Sequence, residues 1–170
     1  MNAPTNSKEL ELQTVEFKLD GQTIISYEGE TILKAAKRHG IDIPHLCFKD
    51  GYRPDGNCRA CVVEINGERT LAPSCCRSAT PGMEVKANSE RALKSQKLVL
   101  EMLLSDMPDE GFKWVGDSKE QEQKNQHGEL STWASRMDVT VRPELKALRR
   151  DKVSADISHP AMAVNLDACI

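Results

Sequence analysis

Four cysteines in one stretch of the chain constrain its fold more than any other feature. The spacing C-x10-C-x2-C-x13-C joins Cys47, Cys58, Cys61 and Cys75. Two cysteines separated by two residues direct their thiolates to one metal centre from a tight turn, and single cysteines complete the coordination from separate loops. Gly51, Gly56 and Asn57 lie around the first three. Because glycine has no Cβ, backbone N–H groups can approach the sulfur atoms. The pattern predicts one four-thiolate site on a loop.

The composition limits the class of protein and indicates the redox state of its cysteines. Lys and Arg total 23 and Asp and Glu total 26, which gives a formal net charge of -3. This balance argues against a nucleic-acid or anionic-membrane binder, which would carry a basic excess. No apolar run reaches the ~18 residues that span a bilayer, and the polar stretch Met1 to Gln13 is unlike a signal peptide. We therefore expect a cytoplasmic protein, in which the six cysteines are kept reduced and form no structural disulfides.

Three interpretations of the four cysteines differ in what the thiols bind. Unliganded cysteines belong to apolar cores and do not commonly cluster in a glycine-bearing loop. A zinc ribbon usually has two C-x2-C knuckles, whereas this chain has one knuckle and two single cysteines. An iron–sulfur cluster held by four thiolates fits the spacing best, and structural zinc is the alternative.

Alternating and β-branched residues predict two hairpins. The first covers residues 14–27, with Asp20-Gly21 as its turn. The second begins with a strand over Cys61 to Ile65. It turns at Asn66-Gly67 and returns over Glu68 to Ala72.

Two helices and one more strand complete the predicted domain. Residues 32–39 carry apolar side chains on one side and cations in the last turn, and Gly40 ends the helix. Met83 to Ala87 is a short strand, and residues 90–105 repeat apolar side chains at helical spacing. Two hairpins, a crossover helix and a further strand predict an α+β roll, a small mixed sheet packed on one helix.

The composition changes beyond Pro108. Residues 109–129 are charged, Gln-rich and without periodicity, which predicts a linker. Short helices are expected over 130–137 and 143–150, and neither can bury much surface alone. The predicted organisation is a polar tail 1–13, a domain 14–88, a packing helix 89–107, a linker with short helices 108–158 and an apolar, strand-like end 159–170.

The run HLCFKDGYRPDGNCRACVVEINGERTLAPSC resembles the 2Fe-2S ferredoxin-type domain at the N-terminus of large oxidoreductase subunits. These subunits include the multi-cluster subunit of respiratory complex I, iron hydrogenases and the alpha subunit of NAD-dependent formate dehydrogenase. The resemblance covers residues 14 to about 106. It implies a β-grasp fold, and it implies that the 2Fe-2S ligands are Cys47, Cys58, Cys61 and Cys75.

The second half of the chain narrows this resemblance. In complex I subunits and iron hydrogenases, a histidine and three cysteines that hold a 4Fe-4S cluster typically follow. Here no cysteine lies between Cys76 and Cys169, and His127 is expected to be solvated. The ending SHPAMAVNLDACI resembles the lead-in to the paired 4Fe-4S module of cytoplasmic formate dehydrogenase alpha subunits. Cys169 would then be the first 4Fe-4S ligand of a chain that continues.

Other residues near the cysteines are predicted to be neighbours of the site and not ligands. Cys76 follows Cys75 directly, and the family spacing selects Cys75 as the ligand. His45 is expected in a second shell or partly exposed, since a Rieske-type centre needs two histidines on one iron. Three arginines near the site are most simply solvated surface charge, and these are Arg53, Arg59 and Arg69.

The resemblance implies electron transfer within a formate dehydrogenase, whose complete form would also hold 4Fe-4S clusters and a molybdenum or tungsten pterin. The expected partners are the remainder of its own subunit and flavin/NAD-binding iron–sulfur subunits. This segment has no candidate acid, base or nucleophile, so it should not oxidise formate alone. The alternatives are a stand-alone ferredoxin-like subunit of a hydrogenase or NADH dehydrogenase and a zinc-stabilised binding module.

Overall fold

A computed structural model describes residues 13–108 and 128–168 of the protein. The first range contains β1 (Thr14–Leu19), β2 (Gln22–Tyr27), α1 (Ile32–Arg38), β3 (Val62–Ile65), β4 (Ala72–Pro73), β5 (Glu84–Lys86) and α2 (Glu90–Asp106). The second contains α3 (Glu129–Arg136), α4 (Pro143–Lys146), β6 (Asp156–His159), β7 (Met162–Val164) and a 3-10 helix (Leu166–Ala168).

Five strands form one mixed sheet in the order β2-β1-β5-β3-β4. Strand β1 pairs antiparallel with β2 and parallel with β5, and β3 pairs antiparallel with both β5 and β4. The β1–β2 turn places Asp20 at φ 50° and Gly21 at φ 83°, the left-handed geometry that a two-residue hairpin turn requires. The α+β prediction is confirmed.

The first hydrophobic core lies between this sheet and α1. In β1, Phe17 and Leu19 are buried while their neighbours are more exposed, as expected for a half-buried strand. Helix α1 buries four apolar residues against them, namely Ile32, Leu33, Ala35 and Ala36. The inward faces of the strands and of α1 therefore supply one continuous core.

Glu30 joins the end of β2 to α1. Its carboxylate accepts hydrogen bonds from the Ser26 hydroxyl at 3.2 Å, the Tyr27 backbone N–H at 3.0 Å and the Arg38 guanidinium at 2.8 Å. Burial acts to raise the pKa of Glu30, but the hydrogen bonds and the positive charge of Arg38 outweigh it and hold this pKa below its usual value. The carboxylate therefore stabilises the fold at neutral pH, and this contribution is lost as the pH falls through the lowered pKa.

Glu30→Ala is expected to lower the free energy of unfolding by about 1 to 2 kcal/mol, because three donors lose their acceptor in a partly solvated site. Glu28→Ala is the matched control, since Glu28 is an exposed glutamate two residues before Glu30. Urea unfolding at pH 7 measures both variants. An equal loss in the two would contradict this role of Glu30.

The return strand of the second hairpin is shorter than predicted. Residues 68–71 lie outside the sheet, and only Ala72 and Pro73 pair with β3. Side chains hold this segment instead: Glu68 pairs with Arg77, and the Arg69 carbonyl accepts a hydrogen bond from Arg91 at 2.6 Å. Val62 and Val63 of β3 pair with β4, whereas Glu64 and Ile65 pair with β5 on the opposite edge of the strand.

A second hydrophobic core lies between α2, α3 and the cysteine-bearing loop. Ala60, Leu100 and Leu130 form its buried centre, and Cys58 and Trp133 pack against them. The helix predicted over residues 130–137 was expected to bury little surface alone. In the structure it packs against α2. The sequence placed apolar residues on one face of this helix, but that pattern does not identify the partner face.

Ion pairs of arginines in the second range reinforce this packing. Arg142 makes a two-pronged contact with Glu101, with the Nε–Oε1 distance at 2.7 Å. Arg149 pairs with Asp167 at 2.8 Å in a largely buried position. Residues 128–168 thereby contact α2 directly through side chains from several elements.

Several predictions fall outside the described residues. These concern the tail up to residue 12, most of the linker including His127, and Cys169. Within residues 13–108 and 128–168, no helix combines the length and the apolar character needed to cross a bilayer.

Candidate iron–sulfur site

Sheet pairing brings Cys61 and Cys75 side by side. Cys61 directly precedes β3 and Cys75 lies just beyond β4, and these two strands pair in antiparallel register. Ser74 fixes the junction, because its backbone N–H and its hydroxyl both donate to the Cys61 carbonyl, at 3.1 and 2.7 Å. The Ser74 carbonyl in turn accepts the N–H of Leu33 in α1 at 3.0 Å. Both cysteines are fully buried as a result.

Cys47 and Cys58 form a second pair at the two ends of a loop. Each thiol influences the pKa of the other, and both side chains are half-buried. Cys47 follows the extended segment around Pro44, and Cys58 lies three residues before Cys61. The structure thus arranges the four predicted cysteines as two neighbouring pairs, Cys47 with Cys58 and Cys61 with Cys75.

Backbone N–H groups favour the thiolate form of the first pair. Those of Cys58, Asn57 and Cys47 itself act to lower the pKa of Cys47. Those of Cys47, Ala60 and Leu46 act to lower the pKa of Cys58, although burial outweighs them. Such donors stabilise a thiolate, and in iron–sulfur proteins they help to set the reduction potential.

The two pairs differ in electrostatic environment. Burial acts to raise the pKa of Cys47, but hydrogen bonds from Cys58 and Asn57 prevail and lower it. Burial raises the pKa of Cys58, and burial together with the neighbouring Cys61 raises that of Cys75 far above the usual thiol range. Buried thiols of this kind become thiolates when a cation binds them, since metal ligation releases the proton.

This donor set fits a two-iron cluster. Four cysteine thiolates hold a 2Fe-2S cluster, two on each iron, and the structure provides two pairs. Tetrahedral zinc instead needs four ligands directed at one point.

Gly56 leaves room for the Cys76 side chain. It is buried with φ +66°, and a Cβ at this position would lie 2.8 Å from the Cys76 sulfur. The predicted role of Gly56 was to let backbone N–H groups approach the sulfur atoms. The structure adds that the missing Cβ leaves room for Cys76, a long-range contact that loop spacing does not reveal.

The remaining residues singled out from the sequence lie around the cysteines. His45 is partly buried, its Nδ1 lies 2.8 Å from the Ile43 carbonyl, and its ring lies 5.8 Å from the ring of Trp133. Cys76 is exposed, and its sulfur lies 3.5 Å from that of Cys75. The three arginines Arg53, Arg59 and Arg69 are all exposed.

Comparisons with known proteins agree with this site. Residues 12–90 match the family model described as the 2Fe-2S iron-sulfur cluster binding domain. A NADP-reducing hydrogenase subunit from Solidesulfovibrio fructosivorans is 39% identical over 168 residues, which cover 94% of this chain and 26% of the relative. The mitochondrial NADH-ubiquinone oxidoreductase 78 kDa subunit of Candida albicans is 35% identical over 123 residues, 69% of this chain and 16% of the relative.

A solved structure extends the likeness to the three-dimensional fold. A chain of an NAD+-reducing NiFe hydrogenase in the H2-reduced state superimposes with a TM-score of 0.72 and 30% sequence identity. The match covers 92% of this chain and 62% of that chain. The chain therefore spans about a quarter or less of the two curated relatives and under two thirds of the hydrogenase chain. Residues 12–90 are a 2Fe-2S iron–sulfur cluster binding domain, homologous to the electron-transfer domains of NADH dehydrogenase and hydrogenase-type subunits.

Proposed function

We propose that this chain is the N-terminal electron-transfer segment of the alpha subunit of a cytoplasmic, NAD-dependent formate dehydrogenase. Its 2Fe-2S ligands are Cys47, Cys58, Cys61 and Cys75. The observation that carries the electron-transfer role is the arrangement of these thiols in two pairs, one buried and one half-buried.

The residues of the site would hold the cluster in a fixed position and stabilise the negative charge on its sulfur ligands. When bound, a 2Fe-2S cluster supplies reversible uptake of one electron. Cys61 and Cys75 anchor one side rigidly, because strand pairing and Ser74 fix their backbone. The N–H groups around Cys47 and Cys58 stabilise negative charge on those sulfurs without moving.

The half-buried pair defines the side from which an electron partner approaches. Cys47 and Cys58 are half-buried, whereas Cys61 and Cys75 are fully buried in the core formed by the sheet and α1. The second core, which includes Cys58, connects the site to α2 and α3. Flavin- and NAD-binding iron–sulfur subunits, together with the remainder of the same subunit, are the proposed partners.

The cysteine pattern beyond the domain supports formate dehydrogenase over related enzymes. Residues 77–168 contain no cysteine, so they lack the three thiolates of the 4Fe-4S site that typically follows in complex I subunits and iron hydrogenases. Cys169 is the proposed first ligand of a further 4Fe-4S module. The complete subunit would then hold the molybdenum or tungsten pterin at which formate is oxidised, outside this segment.

A subunit of an NAD- or NADP-reducing hydrogenase, or of an NADH dehydrogenase, is the second candidate. It is favoured by the identity of 39% that extends over 94% of this chain. The match with a 2Fe-2S domain also favours iron over the zinc-stabilised module that the spacing alone left open.

The reduced protein is expected to give a rhombic S = 1/2 EPR signal at low temperature, with about two irons per chain. Anaerobic purification, dithionite reduction and iron and zinc analysis of one sample provide the measurement. Stoichiometric zinc without an EPR signal would remove the electron-transfer proposal.

The parent enzyme is identified in the native complex, purified through an affinity tag on this chain. NAD+ reduction is assayed with formate and with H2 as the electron donor, and molybdenum, tungsten and nickel are counted. Formate-dependent activity with molybdenum or tungsten supports the first candidate. H2-dependent activity contradicts it and supports the second.

A further inference from the structure

The thiol of Cys76 lies beside the proposed ligand Cys75 and has no role in the site described so far. Its sulfur is 3.5 Å from the Cys75 sulfur, and its side chain is exposed. We propose that Cys76 donates an S–H···S hydrogen bond to the Cys75 thiolate and thereby raises the reduction potential of the centre. This inference rests on the proposed 2Fe-2S function.

Ligation decides the direction of this hydrogen bond. Between two free thiols either sulfur can be the donor. A sulfur bound to iron is a thiolate without a proton, so Cys75 can then only accept. Cys76 is not a proposed ligand, so its S–H group is the donor of this pair.

Local packing holds Cys76 in this position. Its backbone N–H donates to the Pro73 carbonyl at 3.0 Å, in the turn that follows β4. Gly56 lies close to the sulfur, since a Cβ at this position would be 2.8 Å from it. The exposed side chain is therefore near both the loop at Gly56 and the Cys75 sulfur.

The Pro54 carbonyl is the competing acceptor. It lies 3.8 Å from the Cys76 sulfur, farther than the Cys75 sulfur at 3.5 Å. A thiolate in a negatively charged centre is also a stronger acceptor than a neutral carbonyl, because charge-assisted hydrogen bonds are the stronger kind. Both distance and charge favour donation to Cys75.

The sign of the effect follows from the charge balance. Reduction adds one electron to the centre, and no bond to Cys76 forms or breaks. The Cys75 sulfur carries more negative charge afterwards, so a donor stabilises the reduced state more than the oxidised state. Removing the donor must lower the reduction potential.

The test is an EPR-monitored redox titration of the protein and three variants. Cys76→Ala removes the donor and is expected to lower the equilibrium constant for reduction by about five- to tenfold, where tenfold corresponds to about 59 mV for one electron. Cys76→Ser restores a donor and is expected to keep the potential at or above that of the original protein. Ser78→Ala is the control, because it removes a hydroxyl on the same loop that bonds to Gly29 instead.

The outcomes separate this inference from the proposed function. An EPR signal in the original protein with a lowered potential in Cys76→Ala alone supports the hydrogen bond. An unchanged potential in Cys76→Ala, or an equal fall in Cys76→Ser, overturns it while leaving the 2Fe-2S function intact. Absence of the EPR signal in the original protein overturns the proposed function itself.

Discussion

Cys61→Ser is expected to abolish the 2Fe-2S EPR signal and to release most of the iron. Cys61 is fully buried beside Cys75, at a position fixed by strand pairing and by Ser74. A serine oxygen is a harder and shorter ligand than a thiolate, and the rigid backbone cannot move to compensate. Loss of a partner outside the first coordination shell already costs about 10- to 100-fold in metal affinity. Removal of the ligand itself should cost more than about a hundredfold.

Iron analysis and EPR of the reduced variant measure this effect. Cys76→Ser is the matched control, since Cys76 is adjacent in sequence to Cys75 and is predicted not to be a ligand. It should retain the full iron content and the EPR signal. If Cys76→Ser loses the signal and Cys75→Ser keeps it, the assignment of the fourth ligand is wrong.

The elements of the first domain were predictable because their signals are local. Hairpin 14–27 is specified by alternation and by the Asp20-Gly21 turn, and helix α1 by its apolar face and the stop at Gly40. The prediction that residues 68–71 belong to the return strand was wrong. This segment is held by contacts with Arg77 and Arg91, and a hairpin pattern in the sequence does not reveal such side-chain contacts.

The residues of the candidate site could be predicted from the sequence, but their arrangement in space could not. Spacing and family resemblance selected four cysteines, whose ligand role is still a prediction. The side-by-side placement of Cys61 and Cys75 depends on the β3–β4 register, which joins residues distant in sequence. The contact of Gly56 with Cys76 spans 20 residues of chain and leaves no periodic trace in the sequence.

The contact of α3 with α2 and with Cys58 was not predicted, for a similar reason. A one-sided apolar pattern predicts that a helix packs, but it does not specify against what. Leu130 and Trp133 pack in one apolar cluster with residues of α2 and with Cys58. The second range is therefore coupled to the iron–sulfur site through one shared apolar core, whose centre is Leu100.

Leu100→Ala is expected to destabilise this second core by about 3 kcal/mol, within the range of about 2 to 5 kcal/mol for a buried leucine. Leu100 has 0% exposure and contacts the apolar residues that join α2 to α3 and to Cys58. Hydrogen exchange of the α3 amides is the local measurement, and about 3 kcal/mol corresponds to a loss of protection of about a hundredfold or more.

Leu98→Ala is the matched control, because Leu98 lies in the same helix with 43% of its surface exposed. Its effect on α3 protection should be several times smaller, since truncation of a half-exposed side chain leaves no buried cavity. Equal losses in the two variants would contradict the buried role of Leu100. Because Cys58 packs against the same core, Leu100→Ala should also speed the loss of the 2Fe-2S EPR signal on mild heating, whereas Leu98→Ala should not.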